Sequence, residues 1–272
     1  MSENEFLTEQ KTIKWWGDYD LSLEDSLLWA IGPFSLQVLR REKEWLVWHR
    51  QQDIEETDED TWSLKKNVCL NTEEGEVKRY VFNFTENGLL VMPRLADRPV
   101  LVKALKPLYV LAGQQIDIYV STPLWFSVSV HSNGTELQEI PIVRPSDTWF
   151  GPSTMKGELC YASTTHGRLY LNDLQLRPHR AISPVTINNQ TDKPLLLTQL
   201  SLPTPYLSLF DTDGGGLWTE AITLLNDDDS DLAKVSFADS PSLPHAAARQ
   251  IVKARKKKES NMLLHTFSTL FG

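Results

Sequence analysis

The sequence is poor in cysteine and contains no long apolar run. Only two cysteines, Cys69 and Cys160, occur among its 272 residues, and no stretch approaches the roughly 18 apolar residues that a membrane-spanning helix needs. The first twenty residues lack the basic start, apolar run and small-residue cleavage site of an export signal. Because proteins that are not exported rarely form disulfides, we expect a cytoplasmic protein in which both thiols are reduced and unlinked.

Sequence motifs for the common chemistries are also missing. There is no P-loop, GxGxxG or GxSxG, and the six histidines show neither an i, i+4 pair nor a cysteine at zinc-site spacing. The segment Asp211–Gly216 begins like a calcium loop, but Gly215 and Ile222 stand where two ligands are required. We therefore predict no metal, no cofactor and no catalytic residue, which favours a non-catalytic protein.

Alternating apolar and polar residues predict β-strands along most of the chain. Phe34–Arg41 alternates in this way, and the β-favouring run Trp45–His49 follows a short charged turn, which predicts a hairpin. Tyr80–Phe84 and Gly88–Pro93 predict a second hairpin. Within Arg98–Val130, short β-branched runs between proline or glycine turns are typical of an immunoglobulin-like sandwich.

The predicted fold class is all-β, with an antiparallel β-sandwich architecture in two lobes and a C-terminal α-helix. We assign residues 1–12 to a flexible N-terminus and residues 13–94 to an N-terminal β lobe. Residues 95–240 would form an immunoglobulin-like β-sandwich lobe, and residues 241–272 a basic amphipathic helix.

Charge is divided unevenly along the chain. The stretch His245–Gly272 has six basic residues and one acid, so it carries +5 and the remainder carries −14 of the total −9. An acidic body disfavours nucleic-acid binding. The asymmetry predicts that the basic end of the chain has a different role from the body.

Four apolar residues near the end of the chain follow helical spacing. Leu263, Phe267, Leu270 and Phe271 fall at i, i+4, i+7 and i+8, which puts them on one helical face. We predict that residues 260–271 form an amphipathic helix with this docking face. A helix this short needs a surface, which would be the protein's own β body, a groove in a partner protein or an anionic membrane that it contacts peripherally.

Nine tryptophans are many for a chain of this length. Tryptophans on a sheet surface stack on sugar rings, whereas tryptophans inside a sandwich fill its core. The candidates for stacking are Trp15, Trp16, Trp45, Trp48 and Trp62. We expect them in the core or in a seam between lobes, with sugar binding as the alternative.

The segment Arg144–Ser163 combines acids, aromatic residues, glycines and a thiol. Its candidate ligand-binding or interaction residues are Asp147, Trp149, Glu158 and Tyr161. We expect Trp149 and Tyr161 to be buried, where they anchor the segment against the sheet or line a pocket beside it.

The motifs SDTWFG at Ser146–Gly151 and GELCYA at Gly157–Ala162 are the most specific in the sequence. With DRPVLVKALKPLYVLAGQQIDIYVSTPLWFSV upstream and PLLLTQLSLPTPYLSLF downstream, they resemble an uncharacterised prokaryotic family, domain of unknown function 432. The likeness runs from about Trp29 to the terminal FSTLFG. The resemblance supplies no activity, cofactor or catalytic residue. Members of that family are encoded beside mechanosensitive-channel genes in some genomes, which implies a membrane-associated accessory role.

These observations together predict a non-catalytic interaction protein. It would bind a protein partner through its β body or its C-terminal helix, and association with a membrane is left open. The alternative is a small-ligand or sugar-binding protein, or an enzyme, with its site around the SDTWFG segment.

Overall fold

The fold consists of β-strands, which we describe from a computed structural model. The structure describes residues 14–52, 61–69, 75–132, 134–151, 153, 155–213, 216–227, 233–241, 247–258 and 262–264. Residues 1–12, predicted as a flexible N-terminus, lie outside these ranges. Among the described residues, two short 3-10 turns, Leu171–Asp173 and Thr204–Tyr206, interrupt the strands.

The strands are, in chain order, β1 (Gly17–Asp20), β2 (Ser26–Ile31), β3 (Phe34–Arg40), β4 (Glu44–Gln51), β5 (Trp62–Lys66), β6 (Glu76–Val81), β7 (Gly88–Arg94), β8 (Val100–Val110), β9 (Gln115–Pro123), β10 (Trp125–Val130), β11 (Glu136–Pro141), β12 (Ser146–Phe150), β13 (Glu158–Gly167), β14 (Arg180–Asn189), β15 (Leu195–Leu202), β16 (Leu209–Thr212), β17 (Leu217–Thr219), β18 (Ile222–Asn226), β19 (Ala233–Phe237), β20 (Ala248–Val252) and β21 (Met262–Leu264).

The strands form four sheets. Their strand orders are β1-β7-β10-β11 (sheet 1), β5-β2-β3-β4-β6 (sheet 2), β12-β13-β8-β15 (sheet 3) and β20-β16-β17-β14-β18-β19-β21 (sheet 4), with β9 also paired to β14. The all-β prediction is confirmed. Most pairs are antiparallel, but β13 runs parallel to β8, and β14 runs parallel to both β17 and β18.

Sheets 1 and 2 pack face to face around a cluster of aromatic rings. Phe126 of sheet 1 lies 5.6 Å from Trp29 and 5.7 Å from Phe34 of sheet 2, measured between ring centroids. Trp15 stacks on the same phenyl ring at 5.3 Å. These four side chains are fully buried, as is Trp45, so Trp15 and Trp45 are not available for sugar stacking.

The first predicted hairpin is confirmed and the second is wrong. Strands β3 and β4 pair from Phe34 to Gln51, as the short turn between them predicts. Strands β6 and β7 lie in different sheets, because β6 pairs with β4 whereas β7 pairs with β1 and β10.

Sheet 1 takes strands from both sides of the predicted boundary between residues 94 and 95. Strands β1 and β7 precede the boundary, and β10 and β11 follow it. Sheet 3 meets sheet 4 through β9, where the backbones of Tyr119 and Arg168 exchange two hydrogen bonds of 2.7 and 2.9 Å. The assignment of two separate lobes stays a prediction.

The predicted C-terminal helix is wrong. Residues 248–252 form β20, which pairs with β16, and residues 262–264 form β21, which pairs with β19. Leu263 is therefore a strand residue, and its side chain is 47% exposed. The other members of the predicted docking face, Phe267, Leu270 and Phe271, lie outside the described residues. Pairing with distant strand edges has overridden the local helical pattern.

Among the described residues, no helix has the length and apolar character needed to cross a membrane.

Candidate functional site at the junction of sheets 1 and 3

The segment singled out by its composition folds as the hairpin of β12 and β13. Asp147 lies opposite Tyr161, and Trp149 lies opposite Leu159. Because side chains alternate between the two faces of a sheet, Asp147, Trp149 and Tyr161 share one face, whereas Glu158 is on the other. The structure therefore brings three of the four predicted site residues together and separates the fourth.

Tyr161 is fixed by two neighbours that precede β8. Its hydroxyl donates a 2.9 Å hydrogen bond to Asp97 Oδ1, and the Arg98 guanidinium lies 5.2 Å from the centre of its ring. Arg98 also forms a 3.1 Å ion pair with Asp147. Burial, and then the bond to Asp97, raise the pKa of Tyr161 to about 12. At neutral pH this phenol is a protonated donor in a fixed orientation.

Trp149 lies on the outside of the hairpin. Its side chain is 48% exposed, which differs from the burial that the sequence predicts. The indole Nε1 donates a 2.9 Å hydrogen bond to the carbonyl of Ser153, in the connection between the strands. A Cβ at Gly157 would lie 2.8 Å from the same nitrogen. The indole thus packs directly on the backbone at Gly157, where a residue larger than glycine would clash with it.

The opposite face of the hairpin holds a buried thiol. Cys160 packs with Leu101 and Phe150. Burial, and then the charge of Glu158, raise the pKa of the Cys160 thiol to about 11. Burial also raises the pKa of Glu158, although Lys256 opposes that effect. A thiol with a raised pKa is a poor nucleophile at neutral pH.

Tyr161 forms one wall of a pocket, and Trp125, the first residue of β10, forms another. Their ring centroids are 5.9 Å apart, with an angle of 42° between the planes. Val100 and Val143 extend the apolar lining, and Arg144 lies at the edge. The pocket offers about 80 Å³ to the centres of water-sized molecules. One water needs roughly 10–15 Å³ by this measure, so the space suits a group the size of one ring.

Trp125 is fixed by the basic segment near the end of the chain. The Arg255 guanidinium lies 5.9 Å from the Trp125 ring centroid and forms an ion pair with Glu139 on the neighbouring strand. It also donates hydrogen bonds of 2.9 and 2.7 Å to the carbonyl of Leu95. Arg255 therefore fixes both an aromatic wall of the pocket and the backbone beside Ala96, another lining residue.

The lysines after Arg255 are also held by the body of the protein. Lys258 forms an ion pair with Glu220, which is only 1% exposed. The second oxygen of that carboxylate accepts a 2.8 Å hydrogen bond from the backbone N–H of Ser208. The ammonium of Lys256 lies 5.6 Å from the Tyr206 ring centroid. Residues 255–258, predicted as part of the basic C-terminal helix, thus form a non-helical segment that contacts the body.

Sequence reasoning found Tyr161 but missed Trp125, Arg144 and Arg255. Trp125 and Arg255 lie outside the segment singled out by its composition, and Arg144 is its first residue, but none of the three carries a local motif. Metal ligands are not clustered either: within the described ranges, no group of three or more histidine, cysteine or acidic side chains could hold a metal ion.

The fold and this pocket define an all-β protein with an aromatic-walled site between two sheets. The chain belongs to the family described as protein of unknown function DUF432, whose sequence profile matches residues 15–271. The family suggested by the SDTWFG and GELCYA motifs is therefore confirmed. No curated protein and no solved structure matches the chain.

Proposed function

We propose that this chain is a non-catalytic binding protein that holds a small organic molecule in the pocket lined by Trp125 and Tyr161. The observation that carries the proposal is that both aromatic walls are fixed by groups other than a ligand. Arg98 lies over the ring of Tyr161, and Arg255 lies over the ring of Trp125. Walls that are ordered before binding lower the entropic cost of binding.

The lining of the pocket supports an apolar ligand body. The pocket is lined mainly by carbon atoms, which come from Trp125, Tyr161, Val100 and Val143. Apolar pockets with a few placed polar groups are the usual form of small-molecule sites. The size of the space favours a body of about one ring.

The titratable groups of the hairpin support binding rather than catalysis. Tyr161, with a pKa raised to about 12 by burial and its bond to Asp97, keeps its proton at neutral pH. Cys160, with a pKa raised to about 11 by burial, does the same. Asp147 is held in its ion pair with Arg98. These side chains are therefore positioned as hydrogen-bonding, ion-pairing and packing groups, and not as bases or nucleophiles.

The test is a screen of single-ring compounds by saturation-transfer NMR on the full chain. Ala162 is exposed and lines the edge of the pocket, so Ala162→Phe adds a ring that is expected to obstruct the entrance. Ala238→Phe adds the same ring at an exposed turn after β19 and serves as the control. We expect a set of compounds that binds the wild type and A238F but not A162F. Absence of binding to the wild type, or equal binding to A162F, overturns the proposal.

A second candidate function is contact with a protein partner at the outside of the hairpin. Trp149 and Leu159 are exposed cross-strand neighbours, and Met155, in the connection, is 93% exposed. Strand β12 is also at the edge of sheet 3. A partner that adds an extended strand would pair with that edge and cover the apolar side chains.

Cross-linking from a photoreactive residue at position 155, in the native host, tests this second function. With the photoreactive residue at position 155, the otherwise unchanged chain and its A162F variant should both cross-link the same partner. That cross-link should disappear when Trp149 and Leu159 are both replaced by serine. A cross-linking pattern that the double replacement leaves unchanged contradicts it.

A further inference from the structure

Arg144 differs from the other arginines around the pocket. Its side chain is exposed, and it makes no ion pair or hydrogen bond with any residue of the described ranges. Arg98, by contrast, is paired with Asp147, and Arg255 is paired with Glu139. Of these three guanidinium groups, Arg144 is thus the one whose donors are free for a ligand.

Arg144 lies where its charge can contact a molecule in the pocket. It lines the pocket together with the apolar side chains of Val100, Val143 and Trp125. Of the acidic residues nearest Tyr161, Asp147 is paired with Arg98, and Asp97 accepts the tyrosine hydroxyl. The edge of the pocket therefore presents one cation beside an apolar interior.

We infer that the ligand is a small organic anion of the carboxylate class, with an apolar body of about one ring. The body would lie in the pocket, against the edges of Trp125 and Tyr161, and the carboxylate would accept two hydrogen bonds from the Arg144 guanidinium. Guanidinium and carboxylate groups match in this two-bond geometry, which a neutral amide cannot reproduce. This inference rests on the proposed function and adds the chemical class of the ligand.

Matched acids and amides test the inference on the full chain. The probes are benzoate with benzamide and phenylacetate with phenylacetamide, and their affinities are measured by NMR titration at pH 7. We expect at least one acid to bind about tenfold more tightly than its amide, as a charge-assisted bond predicts. Arg144→Gln should remove this preference and leave the affinity for the amide unchanged. Arg144→Lys keeps the positive charge but cannot form the two parallel hydrogen bonds of a guanidinium. It should therefore retain part of the preference for acids that Arg144→Gln loses.

The outcomes separate the inference from the proposed function. If amides bind as tightly as acids and A162F abolishes both, the ligand class is wrong and the pocket remains a binding site. If acids are preferred but R144Q does not change the preference, the role of Arg144 is wrong. If none of the single-ring compounds binds, both the inference and the proposed function fail.

Discussion

At the scale of single residues, His179 is a buried base with an unpartnered nitrogen. Its imidazole is 5% exposed, and Nδ1 has no hydrogen-bond partner within the described part of the chain. The ring packs against Gly32, where a Cβ would lie 2.9 Å from Nδ1. Burial first, and then the charges of Arg180 and Arg177, lower the pKa of His179 to about 4. The folded chain therefore holds this imidazole neutral.

The lowered pKa of His179 predicts a loss of stability in mild acid. The unfolded chain takes up this proton near pH 6.5 and the folded chain near pH 4. The stability that the neutral imidazole contributes is therefore complete above pH 6.5 and is lost as the pH falls toward 4. Between pH 7 and pH 5 the loss is about 2 kcal/mol. Denaturant unfolding of the wild type and of His179→Leu at both pH values measures it. Between pH 7 and pH 5, the free energy of unfolding of His179→Leu should fall by about 2 kcal/mol less than that of the wild type. Equal decreases in the two proteins would contradict the account.

Local composition predicted Tyr161 but not the site around it. The residue lies in an aromatic segment bounded by glycines, which is a signal that one sequence can carry. Trp125 and Arg144 become pocket residues only because β10 of sheet 1 begins beside β13 of sheet 3. Such a meeting of two sheets leaves no pattern in either segment. The exposure of Trp149 was missed for a related reason, since composition does not tell which face of an edge strand is covered.

At the scale of elements, the segment from Arg255 to Lys258 holds distant strands together. Arg255 reaches Glu139 on β11, and Lys258 reaches Glu220 in the turn between β17 and β18. The ammonium of Lys258 also lies 5.1 Å from the Phe237 ring centroid on β19. The buried carboxylate of Glu220 depends on this partner, because an unpaired buried charge is costly.

Neighbouring lysines provide a matched test of this role. Lys258→Met leaves the Glu220 carboxylate buried without its ion pair, which should lower the free energy of unfolding by about 2–3 kcal/mol. Lys257→Met removes an exposed charge and should change it by less than about 0.5 kcal/mol. Denaturant unfolding at pH 7 compares the two variants. Equal effects would mean that the ion pair does not hold the segment.

Element prediction succeeded where partners are close in sequence. The β3–β4 hairpin follows from alternation and a short turn, and it is present. Strands β6 and β7 were predicted as a hairpin by the same logic, but each finds a better partner in a different sheet. The C-terminal helix failed likewise, because Ala248–Val252 completes the edge of β16, a strand far earlier in the chain.

At the scale of the whole molecule, part of the charge asymmetry of the sequence is met by ion pairs within the chain. The sequence predicted an acidic body and a basic end that docks on that body, on a partner or on a membrane. Arg255 and Lys258 pair with carboxylates of the body, and Lys256 lies against Tyr206. These contacts place Arg255 over a wall of the proposed pocket. The basic segment is therefore a structural part of the site.

The most direct test of the central claim is a crystal structure of the full chain with the tightest-binding aromatic acid of the matched set. The account predicts a ring in the pocket lined by Trp125 and Tyr161 and a carboxylate within hydrogen-bond distance of the Arg144 guanidinium. The hydrogen bond between Tyr161 and Asp97 should be unchanged, because the walls are ordered before binding. An empty pocket under saturating conditions, or a ligand bound elsewhere on the chain, would contradict the claim.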